Sequence, residues 1–248
     1  MINEILSHHI LDRVLTLNVF GLKLGITLHT FFMLGISIAL VILLPLILRA
    51  KGGRLKTALE MFVTFVRDDI VTPNLGEEGK DFVPFFCTMF IFLLFANYIG
   101  LVPFGVTITA NISVTLGMAA VSGLMIIGLS IRQNGPVGFL KTFVPGGVPW
   151  PMIPIIFPLE AASLIIRIFV LAIRLFANMA AGHMVLLGLF SFIFLMGAKS
   201  VMAGFTSAGP VLFMTLFVTT LELLVAAIQA YVFTLLTAIF TGLQLHAH

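Results

Sequence analysis

From Phe82 to Ile131 the chain carries no Asp, Glu, Lys or Arg. A run of that length cannot fold into a soluble domain, because nothing in it can cover a surface with charge. A helix crosses the hydrocarbon of a bilayer with about 20 mostly apolar residues, so this run is long enough for two crossings. Its punctuation falls at Gly100–Thr109, where Pro103 and Gly105 interrupt and Thr107, Thr109 and Asn111 add polarity. A helical hairpin over 82–131 is predicted. The rest of the chain agrees, being 60% hydrophobic and 9% charged overall, where about 25% charged is usual in soluble domains. The fold class expected is an all-α integral membrane protein.

The other spans follow from the same count. Phe31–Leu48 is charge-free and stops at Arg49. Ile153–Ala198 and Ser200–Leu245 are each too long for one upright helix, and Phe157–Ala198 shows no convincing internal turn, since Gly182 and Gly188 are isolated and no Pro follows Pro158. Each is read as one long, steeply tilted helix, the two forming an antiparallel hairpin over 152–245 with its break at Lys199–Pro210. About five membrane helices result. In the charged segment 49–81, Leu59, Phe62, Val63, Val66 and Ile70 repeat at helical spacing while Lys56, Glu60 and Arg67 lie off that stripe. That suits an amphipathic helix in the interface plane, with a small loop helix as the alternative.

Orientation follows the basic residues. Arg49, Lys51, Arg54, Lys56, Arg67 and Lys80 lie in 49–81, and Arg132 and Lys141 in the loop Arg132–Pro151; Arg13, Lys23 and Lys199 lie opposite. The long loops are therefore expected in the cytoplasm, with the N-terminus outside and the C-terminus inside. Residues 1–28 lack the compact basic start and cleavage site of a signal peptide and are read as a mature outer-side segment. The net charge of +3 is too small and dispersed for nucleic-acid binding, and the single Cys87 excludes a disulfide framework or thiolate metal centre. No cofactor or metal is expected.

An ionisable group at bilayer depth usually marks an ion or substrate path. Glu160, Arg167, Arg174, His183 and Glu222 cluster in the last two spans, joined by Asn178 and Gln229. Glu160, Arg167 and Arg174 are seven apart and share a helical face, with Asn178 one turn beyond. His183 points to the other side. Glu222 and Gln229 share a face of the last helix by the same rule. Folding the two stretches together puts Arg174 level with Gln229, His183 with Glu222 and Glu160 with Gln244; depth is all this gives. Arg167 reads more simply as a structural partner of Glu160 or a residue reaching the interface. Arg174 is harder to explain, because a guanidinium stays charged in proteins and no acid lies within two turns of it on its helix. A buried unpaired charge is not tolerated, so its counter-ion is expected from another molecule.

At this point the sequence is recognisable. Ile173-Arg174-Leu175-Phe176-Ala177-Asn178-Met179-Ala180-Ala181-Gly182-His183 closely resembles the signature of subunit a of the F-type ATP synthase. Leu221-Glu222-Leu223 with Ala227-Ile228-Gln229-Ala230-Tyr231-Val232-Phe233-Thr234 resembles that family's last-helix motif, and Asn97-Tyr98-Ile99-Gly100-Leu101-Val102-Pro103 and Glu160-Ala161-Ala162-Ser163-Leu164 match further upstream. The resemblance implies a stator packed beside a ring of c subunits, each with one membrane carboxylate, held by b-type peripheral stalk subunits and coupled indirectly to the soluble catalytic sector. It implies that Arg174 faces the ring carboxylate and keeps it ionised, since a nearby cation favours the charged form. His183 and Glu222 match an outer half-channel, Asn178 and Gln229 the polar neighbours of the arginine, and Glu160 an acid near the cytoplasmic exit. Asn111 is a weaker outer-channel candidate, and Arg167 matches no family hallmark. His on the fifth span with the acid on the last looks like the alphaproteobacterial and mitochondrial branch. A bacterial inner membrane is expected, or the mitochondrial inner membrane for an organelle-encoded copy.

Two other classes compete. A secondary transporter could bind an anion through Arg174, but such folds usually show repeated halves and broken helices, and no internal repeat is visible. An intramembrane enzyme would need a nucleophile motif or metal cluster, and neither is evident. No Gly-rich Lys-Ser/Thr phosphate loop occurs, so the chain is read as a non-catalytic subunit. Sodium coupling stays open beside proton coupling.

Overall fold

The computed structural model describes residues 15–19, 22–26, 28–49, 52–101, 108–144 and 149–245. Strands β1 (Leu15–Val19) and β2 (Leu22–Ile26) pair antiparallel, Leu15 opposite Ile26 and Val19 opposite Leu22. This hairpin is an addition to the all-helical expectation, and strict apolar alternation in Leu-Thr-Leu-Asn-Val and Leu-Lys-Leu-Gly-Ile is its sequence signal.

Everything else described is helical or turn. Helix α1 (Leu28–Arg49) covers the first expected span. The charged segment forms α2 (Arg54–Phe65), a π turn Val66–Val71, a single turn Thr72–Leu75 and a 3-10 stretch Gly76–Phe82. Its apolar stripe is divided in use. Val66 and Ile70 are fully buried and the Phe62 ring lies 5.1 Å from that of Phe90, while Val63 of the stripe and Leu55 ahead of it stay exposed. The end of the segment is thus fastened to protein, and its beginning is left for an interface.

Helices α3 (Val83–Leu101) and α4 (Ile112–Lys141) lie on either side of the expected break, but α4 does not end at Ile131. It continues through Arg132, breaks at Gly135 (φ 70°, ψ 169°) before Pro136 and resumes to Lys141. The first charge marks the edge of the apolar run rather than the end of the helix, and Arg132 there lies 5.9 Å over the Phe82 ring.

The last two helices are α5 (Ile153–Lys199, 47 residues) and α6 (Val201–Leu245, 45 residues). At 1.5 Å per residue each is about 70 Å long, more than twice a hydrocarbon thickness of about 30 Å, which demands steep tilt or long projections. The expected break at Lys199–Pro210 is corrected to Ser200 alone, and α6 runs through Gly204, Ser207, Gly209 and Pro210. Backbone bonds explain this: Ser200 N–H reaches Met196 O at 3.2 Å and Gly204 N–H reaches Ser200 O at 3.0 Å. Among the described residues, five helices are long and apolar enough to cross a membrane.

Contacts divide the chain into two units. One comprises 1–51, 92–111 and 178–227; the other comprises 52–91, 112–177 and 228–248. In the second, Ile126, Phe143 and Leu164 form a core with Phe139, Ile168 and Phe240 packed on it. The part of α6 in that unit buries Ala230, Phe233, Thr234, Thr237, Ala238 and Thr241. Small side chains in this pattern let helix backbones approach closely. Gly242 shows how closely, because a Cβ there would overlap the backbone carbonyl of Asn74.

Candidate functional site

In the first unit, α5 carries Asn178, Gly182 and His183, and α6 carries Glu222. The carboxylate of Glu222 lies against the backbone of Gly182. A Cβ at 182 would sit 2.7 Å from Glu222 Cδ and would overlap Oε1. Glycine at this position therefore makes the space the carboxylate fills, and His183, the next residue of α5, is half-buried. Sequence reasoning brought His183 and Glu222 to one depth but missed Gly182, whose role depends on what faces it. Glu222 Oε2 is shielded and has no hydrogen-bond partner among the described residues. Asn178 is exposed, and Asn111 sits half-buried in the turn ahead of α4, its N–H bonded to Ile108 O at 3.3 Å.

The second unit holds the other candidates. Arg167 Nη2 and Glu160 Oε1 are 3.5 Å apart, each side chain about one-third exposed, and the guanidinium lies 5.7 Å over the Phe240 ring. Two turns of α5 separate the pair, so their shared face brings them together. Gln244 is level with Glu160 but does not bond it. Its Oε1 accepts from Thr142 Oγ1 at 2.9 Å, and its backbone carbonyl accepts from Ser130 Oγ (3.3 Å) and Asn134 Nδ2 (3.5 Å). These α4 groups satisfy a carbonyl near the end of α6, where four carbonyls lack helical partners. Gln229 is buried.

Arg174 differs from every other charge on α5. It is half-buried, and no hydrogen bond or ion pair joins it to any of the described residues. Around it Phe169, Val170 and Ile173 are exposed. Only 17% and 11% of the most apolar windows of α5 and α6 are buried, against 44% and 39% for the spans containing α3 and α4. Helices α5 and α6 thus offer a large apolar surface, in which Arg174 stands without a partner among the described residues.

Comparison with known proteins points the same way. The family model described as ATP synthase A chain matches residues 27–242. ATP synthase subunit a of Myxococcus xanthus is 39% identical over 233 residues, 90% of this chain and 74% of that protein. The subunit a of Gluconobacter oxydans is 44% identical over 193 residues, 76% of this chain and 74% of its own. That of Parvibaculum lavamentivorans is 35% identical over 244 residues, 97% of this chain and 93% of its own. With the family model covering most of the chain and its relatives matching along most of their own lengths, the chain belongs to the ATP synthase A chain family.

Proposed function

We propose that this chain, as the non-catalytic proton-channel subunit in the membrane sector of an F-type ATP synthase, provides two offset half-channels to a rotating ring of carboxylate-bearing subunits. The single observation that carries the reading is Arg174, a half-buried cation without a partner among the described residues, set in an exposed apolar helix face. A passing ring carboxylate supplies the missing counter-ion. Held against Arg174, it stays ionised, so a proton cannot step straight from one half-channel to the other.

The proton enters from the outer side along Glu222 and His183. An acid and an imidazole at one depth form a relay suited to neutral pH, because imidazole changes charge in that range. Gly182 keeps Glu222 seated against α5. Asn178 and Gln229 flank the arginine as polar neighbours, with Asn111 further out. After almost a full turn of the ring, the proton leaves toward the cytoplasm past Glu160, whose carboxylate Arg167 holds in an ion pair. The drive is about 2.3 kcal/mol per proton per 100 mV. The complex lies in a bacterial inner membrane with the N-terminus outside, the segment 49–81 cytoplasmic and b-type stalk subunits bracing the stator.

The test is passive proton conductance of vesicles stripped of the soluble sector. Glu222→Gln keeps the shape and removes the titrating group, so conductance should fall about hundredfold while ring assembly stays normal. Conductance at the wild-type level would remove Glu222 from the path.

A further inference from the structure

The threonines of α6 follow a rule with one exception. Thr206, Thr219, Thr220, Thr234, Thr237 and Thr241 each donate Oγ1 to the carbonyl four residues earlier, at 2.7–2.9 Å. In a membrane helix this back-bond is the ready partner for a hydroxyl. Thr215 does not make it. Its Oγ1 is shielded and has no hydrogen-bond partner among the described residues.

The position of this exception gives it meaning. Thr215 stands seven residues before Glu222, which stands seven before Gln229, so all three fall on one face of α6. Other polar atoms of the same unit are also shielded and without partners among the described residues, including Glu222 Oε2, Thr109 Oγ1 and Asn97 Oδ1. Asn97 is fully buried on α3, its Nδ2 bonded to the Ala226 carbonyl at 3.2 Å. Leaving such an atom unsatisfied is costly, and native proteins satisfy buried polar groups with protein partners or ordered water. In the second unit, Ser130, Asn134 and Thr142 each donate to Gln244.

We infer that Thr215 is a proton-path residue: its hydroxyl holds a water on the Glu222 face two turns toward the Ser200 break and hands protons along that file to Glu222. A hydroxyl accepts and donates at once, so it takes one proton from the water on one side and releases its own to the next. No charge accumulates, and no bond other than O–H forms or breaks. Asn97 Oδ1 and Thr109 Oγ1 accept from waters of the same unit. The inference rests on the reading of Glu222 as the inlet relay.

The test uses the complete complex in vesicles, with Cys87→Ser removing the single native cysteine. Variants are compared at equal amounts of assembled complex. Thr215→Val keeps the side-chain shape and should lower passive proton conductance about tenfold, the equivalent of one hydrogen bond in the path. Thr215→Ser should restore it. Thr220→Val, whose native hydroxyl is tied to Leu216 O, should leave conductance unchanged. Thr215→Cys should be blocked by silver ions added on the outer side, and Thr220→Cys should not. Wild-type conductance in Thr215→Val, or a Thr215→Cys protein indifferent to silver, would overturn the inference. Glu222→Gln separates the two claims. If it abolishes conductance while Thr215→Val does not, only the role of Thr215 falls; if it has no effect, the inlet reading itself falls.

Discussion

Residues 201–225 and 226–245 of α6 belong to one unbroken helix, yet they meet their surroundings in opposite ways. The later part buries small and hydroxylated side chains, and its threonines are tied to their own backbone. The Gln244 carbonyl near its end is met by side chains of α4. The earlier part exposes Phe205, Phe213, Leu216 and Phe217 and contains Thr215 and Glu222, whose shielded oxygens have no partners among the described residues. Apolar burial gives little drive between helices in lipid, so close packing and hydrogen bonds must hold them. The comparison teaches a division of labour. Polar groups that bond protein fix the scaffold, and those left without protein partners are free to serve ions, water or another subunit.

Two glycines sharpen that division. Gly242 faces a backbone carbonyl, which cannot swing aside. Gly242→Ala should lower the stability of the assembled complex by about 2 kcal/mol, as overpacking does, read as an earlier thermal inactivation with normal proton flux in the complexes that survive. Gly182 faces the mobile end of Glu222 instead. Gly182→Ala should leave thermal inactivation unchanged while the displaced carboxylate slows passive proton flux about tenfold. Exchanged phenotypes for the two variants would break the comparison. The smallest effect is expected at Arg167, whose pair with Glu160 is long and partly exposed. Such pairs contribute about 0–1 kcal/mol, so Arg167→Gln should reduce ATP-driven pumping far less than Arg174→Gln. Equal loss would make Arg167 part of the path. Cysteines placed in 49–81 should label from the cytoplasmic side, and labelling from outside would invert the topology.

Much of this was legible in the sequence. Charge-free runs located the spans, because in hydrocarbon a missing charge is a stronger signal than any propensity. Heptad spacing placed Glu160, Arg167 and Arg174 on one face and offered the Glu160–Arg167 pair as one of two readings, the one the structure shows. The turn was misjudged over Lys199–Pro210, since Gly and Pro punctuate soluble helices, whereas a backbone in lipid must keep its hydrogen bonds and runs through them. The β1–β2 alternation stood in the sequence but was overlooked beside the apolar spans. Gly182 and Thr215 could not be read at all. The first acts through the side chain opposite it, and the second differs from its neighbouring threonines only in a hydrogen bond it does not make.

The most direct test of the whole account is ATP-driven proton pumping in membrane vesicles, comparing wild type with Arg174→Ala in an otherwise complete complex. The account predicts that pumping vanishes while the detached soluble sector still hydrolyses ATP, because nothing then keeps the ring carboxylate ionised between the half-channels. Pumping that survives would mean that Arg174 serves another partner, and it would contradict the stator mechanism at its centre.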